Sequence, residues 1–146
     1  MRSGGGTNHR IGLFDAVLVK DNHIAAAGGV AAATRAALAR ADGLPVQVEV
    51  DSVDQAREAL DAGATEILLD NFQPDEVRQA VAAVAGRARV EASGGITLDN
   101  VRAYGEAGAD TVSVGAITHS AGALDIGLDV VSIEGVDGPA AAAPAG

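Results

Sequence analysis

Residues suited to ending a strand recur at nearly constant spacing in this chain. Glu49, Asp70, Ser93 and Gly115 close short, mostly apolar runs and stand 21, 23 and 22 residues apart. A unit of that length holds one strand, one crossover helix and two short connections. Neighbouring parallel strands cannot be joined by a tight turn and need such a crossover. The spacing therefore confines the chain to parallel α/β architectures.

Four segments read as strands that end on a polar or glycine position: Phe14 to Lys20, Val46 to Val50, Glu66 to Asp70 and Thr111 to Gly115. Arg89 to Ser93 is a weaker fifth. Runs that are apolar throughout are expected where parallel strands are covered on both faces. Helical punctuation lies between them. Ser52 with Gln55 forms a capping-box signature ahead of an Ala56, Ala59, Leu60 face. Pro74 stands where a first helical turn tolerates it, before Val77, Val81 and Val84. Thr97 is placed to cap a helix carrying Leu98 and Val101, and Val30 to Ala41 predicts a further helix. Gly63, Gly86 and Gly108 fall where helices should stop. The echo of Ala62-Gly63-Ala64 in Ala107-Gly108-Ala109, each ahead of a strand, marks the same helix exit twice.

This rhythm allows a (β/α) barrel or an open doubly wound sheet. The barrel is preferred because no strand is followed by a dinucleotide-type glycine fingerprint. Closure takes eight strands and roughly 250 residues, so 146 residues predict a partial, TIM-like barrel, incomplete on its amino-terminal side. The barrel portion is expected over residues 1 to 131. Residues 132 to 146, closing on Pro-Ala-Ala-Ala-Ala-Pro-Ala-Gly, read as a low-complexity, disordered tail.

Composition narrows the functional classes. Hydrophobic residues make up 48% of the chain but aromatics only 2%, so the core must be built from Val, Ile, Leu and Ala. A net charge of -10 argues against nucleic acid as a partner, because phosphate neutralisation needs clustered Lys and Arg. Any anion site must be local. The absence of cysteine excludes disulfides, zinc-thiolate clusters and a thiol nucleophile. Met1 to Gly6 has no apolar h-region, and the weakly charged stretch Ile24 to Thr34 is too short to span a bilayer. A cytoplasmic protein without a membrane partner is expected.

In parallel barrels the active site lies at the carboxyl ends of the strands, here Lys20, Glu49, Asp70, Ser93 and Gly115. Lys20 is a point-charge partner for a carboxylate or phosphate, or else simply reaches solvent. Glu49, within Val-Gln-Val-Glu-Val, and Asp70 suit sugar hydroxyls or Mg²⁺. The plainer readings are a salt-bridged structural Glu and an Asp opening a turn. Ser93-Gly94-Gly95-Ile96-Thr97 is read as a strand running into a helix with backbone N–H groups free for an anion, and Val114-Gly115-Ala116 as a second such turn. His9-Arg10 pairs an acid or donor with a bidentate carboxylate binder, or is a loop with incidental charge. His119 could donate to the same phosphate as Gly115 or cap a turn. His23 reads as structural.

Six ordered motifs, Gly4-Gly5-Gly6-Thr7-Asn8-His9-Arg10, Lys20-Asp21-Asn22-His23, Glu49-Val50-Asp51, Leu69-Asp70-Asn71-Phe72, Ser93-Gly94-Gly95-Ile96 and Val114-Gly115-Ala116-Ile117-Thr118-His119-Ser120, together resemble quinolinate phosphoribosyltransferase over roughly residues 4 to 130. The resemblance implies transfer of phosphoribosyl from phosphoribosyl pyrophosphate to quinolinate, with loss of pyrophosphate and CO₂, giving nicotinate mononucleotide for NAD synthesis. It implies that His9, Arg10 and Lys20 line the quinolinate carboxylate pocket. Glu49 and Asp70 would lie near the ribose hydroxyls and Mg²⁺, and Lys20, Glu49 and Asp70 would be the catalytic set. Ser93, Gly94, Gly95, Gly115 and His119 would hold the 5′-phosphate. It further implies a homodimer in the full-length family, in which an amino-terminal domain of one subunit completes the other's site. This chain would begin after that domain and be a poor catalyst alone. Two other readings remain: a noncatalytic phosphate-binding barrel fragment, and a related molybdenum-transport-associated protein.

Overall fold

The structure, a computed structural model, describes residues 4–128. The expected tail from 132 onward lies outside that range. Five strands form one parallel sheet in the order β1-β2-β3-β4-β5: β1 (Val17–Val19), β2 (Val46–Val50), β3 (Glu66–Asp70), β4 (Arg89–Ser93) and β5 (Thr111–Val112). The helices are α1 (Asp21–Ala27), α2 (Val30–Leu38), α3 (Val53–Asp61), α4 (Pro74–Val84), α5 (Val101–Glu106) and α6 (Ala116–His119).

Strand order equal to chain order, with no reversal, separates the two architectures left open by the rhythm. Right-handed crossovers repeated in one direction place every crossover helix on the same face. A doubly wound sheet instead reverses direction at a switch point and covers both faces. This sheet is an arc of a singly wound barrel. Its register agrees. Lys20 follows the Val19–Val48 pair and is level with Glu49, which pairs with Leu68; Leu68 pairs with Glu91, and Glu91 with Thr111. From Lys20 to Gly115 the strand ends thus advance four residues over four strand-to-strand steps. One residue per step is the stagger of an eight-stranded barrel of shear 8, where tilted strands bring such ends level.

Alternation along the strands sorts residues between two environments. Val46, Val48 and Val50 of β2, Ile67 and Leu69 of β3, and Val90 and Ala92 of β4 belong to the helix-side core, with Ala56, Ala59, Leu60, Val77, Ala80, Val84 and Tyr104. The intervening positions are largely polar: Gln47 and Glu49, Glu66 and Asp70, Arg89, Glu91 and Ser93, then Thr111 and Ser113. They line the concave face.

The helix ends follow local chemistry. The Ser52 hydroxyl accepts from the Gln55 N–H, but the Gln55 side-chain oxygen accepts from the Asp51 N–H at 3.1 Å rather than from Ser52, so half of the expected capping box forms. Glu76 accepts from the Gln73 N–H at 2.7 Å ahead of Pro74. Gly63, Gly86 and Gly108 follow α3, α4 and α5 with φ of 103°, 72° and 99°, values open to glycine but strained for other residues.

Several local expectations are corrected. The first strand starts at Val17, because Phe14 and Asp15 belong to a turn fastened by the Ile11 N–H to the Asp15 carboxylate. The last strand stops at Val112, and the second helix at Leu38 rather than Ala41. Thr97 does not cap a helix with its side chain. Residues 98–100 form a turn, Leu98 is exposed, and α5 begins only at Val101, whose N–H bonds to the Thr97 carbonyl. Helix α1, directly after Lys20, was not anticipated.

Candidate functional site

A cavity of 670 Å³ occupies the concave face, within the range of small-molecule sites. Its walls include His9 and Arg10 from the entering arm, Gln47 of β2, Glu91 of β4, and Ser113 and Gly115 after β5. His9 and Arg10, separated from β2 by the whole first βα unit in sequence, are thus carried onto the sheet. The His9 Nε2 lies 2.8 Å from Gln47 Oε1 and 3.6 Å from Glu91 Oε1. The Arg10 guanidinium has no carboxylate partner among the described residues.

A second cavity of 320 Å³ is lined by Asp21, Glu49, Asp51 and Asp70 together with Ile24, Ala25, Val50 and Gln55. The expected acids therefore share one hollow. Lys20 Nζ donates to Glu49 Oε2 at 2.7 Å across the ends of β1 and β2, which joins the functional and structural readings of both residues. Half-exposed Lys20 leaves two ammonium protons for a ligand. Asp70 Oδ2 accepts from the Asn71 side-chain amide at 2.8 Å. Among the described residues no three His, Asp or Glu side chains are gathered to hold a metal by themselves. Glu49 and Asp70 fit the smaller share that Mg²⁺ asks of a protein, one or two carboxylates with the rest from water and ligand phosphates.

The two glycine turns sit on adjacent strand ends, Ser93 level with Ser113 and Gly115 two residues beyond. Gly94 and Gly95 have φ of 94° and 61°. Their N–H groups, and that of Gly115, donate to no other described residue. The Ser93 turn does not open a helix, since five residues separate Gly95 from α5; its anion-binding capacity rests on free amides alone. His119 stacks its ring near Gly115 and bonds through Nδ1 to the Ser120 hydroxyl at 2.7 Å. His23 Nδ1 accepts from the Lys20 N–H at 2.9 Å, a structural bond that anchors the start of α1.

The sequence reading passed over Gln47, Glu91 and Ser113. Glu91 accepts from the Ser113 hydroxyl through Oε1 and from the Gln47 amide through Oε2 at 2.9 Å. The signal was present: Val-Gln-Val-Glu-Val and Arg-Val-Glu-Ala-Ser each place polar residues at every second position.

Ahead of this site, the Ile11 N–H holds the Asp15 carboxyl below its ordinary value of 3.8, helped by the amides of Gly12 and Asp15 and by the Arg10 charge, and opposed by burial. No helix among the described residues is long and apolar enough to cross a membrane.

A family model described as quinolinate phosphoribosyl transferase, C-terminal domain, matches residues 1–129. The carboxylating nicotinate-nucleotide pyrophosphorylase of Mycobacterium leprae is 48% identical over 133 residues, covering 89% of this chain and 47% of that protein. The human enzyme of the same name is 44% identical over 135 residues, 90% of this chain and 46% of that protein. The crystal structure of NadC from Streptococcus pyogenes superposes with a TM-score of 0.77 at 45% identity, over 82% of this chain and 42% of that one. The chain spans about half the length of the curated relatives it matches. A parallel barrel arc and a family match across nearly all of its length together make this chain a member of the quinolinate phosphoribosyl transferase C-terminal domain family.

Proposed function

We propose that this chain supplies the barrel site of a carboxylating nicotinate-nucleotide pyrophosphorylase, joining quinolinate to the ribosyl carbon of phosphoribosyl pyrophosphate. The observation that carries this reading is a pair of cavities of different charge on one sheet, the larger of mixed charge and the smaller acidic. One is lined by His9, Arg10 and Arg89 together with Glu66 and Glu91, the other by Glu49, Asp70, Asp21 and Asp51. A dicarboxylate with a ring nitrogen suits the first; Lys20 lines neither cavity, and its ammonium is paired with Glu49 of the second. Ribose hydroxyls suit the second.

In the reaction the ring nitrogen attacks C1 of the ribose, and the bond from C1 to pyrophosphate breaks with its electron pair leaving on pyrophosphate. The carboxylate beside the ring nitrogen then departs as CO₂, and the ring carbon it leaves takes a proton. Positive charge develops at C1, so fixed charges and positioning serve this chemistry better than a protein nucleophile. His9 and Arg10 hold the quinolinate carboxylates, and Glu49 and Asp70 orient the ribose. The free N–H groups of Gly94, Gly95 and Gly115 take the 5′-phosphate, with Ser93 and His119 beside them. Mg²⁺ bound by Glu49 and Asp70 would offset the charge of the pyrophosphate. A cytoplasmic homodimer is part of the same proposal.

Ligand titration followed by amide and side-chain NMR tests the reading. Quinolinate should move the His9, Arg10 and Lys20 signals, and phosphoribosyl pyrophosphate those of Gly94, Gly95, Gly115 and Asp70. A response to phosphate without any response to quinolinate would favour a noncatalytic phosphate-binding protein. No response to either would overturn the assignment.

A further inference from the structure

The contacts that end at His9 begin deep on the concave face. Gln47 and Glu91 are both buried, with relative exposures of 7% and 8%. They come from β2 and β4, and their side chains meet across β3, as expected where alternate strands of a barrel contribute one interior layer. A barrel interior of this kind is ordinarily filled with branched apolar side chains. A buried amide and carboxylate here need a reason.

Donor and acceptor chemistry gives a direction to the chain of bonds. A carboxylate only accepts. Glu91 takes the Ser113 hydroxyl proton on Oε1 and, on Oε2, an amide proton of Gln47 Nε2 at 2.9 Å. That bond fixes which end of the Gln47 amide faces Glu91, so the carbonyl Oε1 faces His9 at 2.8 Å. A carbonyl also only accepts. The His9 Nε2 must therefore carry a hydrogen, whether the ring is neutral or charged. Nδ1 makes no hydrogen bond among the described residues, and His9 lines the larger cavity with about a third of its side chain exposed.

We infer that Gln47 and Glu91 are positioning residues that lock the ring of His9 with a hydrogen on Nε2, so that Nδ1 faces the cavity and becomes the donor to a carboxylate of the ligand when the ring is charged. The ligand class rests on the function proposed above; the relay of orientation does not. Glu91 acts on the ring through Gln47. Ser113 completes the carboxylate's partners, which lets it remain buried without an unsatisfied oxygen.

The isosteric change Glu91→Gln tests this directly. An amide at position 91 keeps an acceptor for Ser113 and turns its NH₂ toward Gln47. With the Ser113 hydroxyl still donating to residue 91, Gln47 flips and offers its own NH₂ to His9, so Nε2 becomes the acceptor and the proton moves to Nδ1. Ring ¹⁵N shifts of the full chain, recorded well above the usual imidazole range, read the tautomer, and His9→Asn identifies the signals among three histidines. The unaltered chain should show His9 protonated on Nε2 and Glu91→Gln should show it on Nδ1. Gln47→Lys is the second variant: its ammonium can satisfy Glu91 and offers His9 only donors, so the same exchange is expected. A wild-type ring protonated on Nδ1, or a folded Gln47→Lys variant retaining the proton on Nε2, overturns the inference.

Quinolinate titration forms a separate arm. Glu91→Gln faces Nε2 with a donor and so bars the charged ring, leaving quinolinate a neutral Nδ1–H in place of a cationic one; it should weaken quinolinate about tenfold, the scale of one hydrogen bond to a charged group, while the Gly94 and Gly95 response to phosphate stays unchanged. If the unaltered chain ignores quinolinate, the ligand assignment fails while the tautomer exchange still decides the relay.

Discussion

Gly94 leaves β4 with φ of 94°, and a Cβ built there would strike the Asn71 side chain and come within 2.8 Å of the Asn71 backbone nitrogen. The residue fails for any side chain on two counts, conformation and space. Gly94→Val is expected to abolish the phosphate response of the neighbouring amides, measured by chemical-shift titration, whereas Gly95, with open space around it, should tolerate Ala with a partial loss. Asp15 allows a test in pH. Its carboxyl is held below 3.8 by the Ile11 N–H. A depressed acid contributes its hold above the unfolded value and loses it as pH falls through the folded one. The Ile11 amide shift should therefore titrate with a midpoint below the ordinary Asp value of about 3.9. A midpoint at or above that value would show that the turn is not fastened this way.

At the scale of elements, each strand separates stability from chemistry by side-chain parity. Leu69 is fully buried in the helix-side core, while Glu66 of the same strand borders the concave cavity. Leu69→Ala should cost about 2–5 kcal/mol in urea unfolding, and Glu66→Ala about 0.5 kcal/mol or less. Strands β2, β3 and β4 were legible in the sequence to the residue, because a buried parallel strand flanked by capped helices leaves little freedom in its limits. β1 and β5 were not, since an apolar run states hydrophobicity and not pairing; Phe14 is 74% exposed in a turn. Helix α1 was missed because Asp21-Asn22-His23 reads as a turn, and only the His23 bond to Lys20 makes it a helix start. Of the candidate site, Glu49, Asp70, Ser93 and Gly115 were picked out by their spacing. Gln47 and Glu91 did not, because the apolar expectation for a barrel interior hid a period of two.

The whole molecule leaves both sheet edges, β1 and β5, without a strand partner among the described residues. Ile11, Leu13 and Phe14 near one edge and Ile117 beyond the other are exposed. Free edges flanked by apolar side chains favour association, against which a net charge of -10 acts at low salt. Sedimentation velocity should show a concentration-dependent rise in mass that strengthens with added salt; a monomer throughout would place these residues outside any interface. The alternation of the strands has a consequence for descent and redesign. Helix-side positions carry the instructions for folding, and the intervening positions carry those for recognition, with little shared between them. A lineage, or an engineer, can rewrite the concave alphabet for a different small molecule while leaving the folding message untouched.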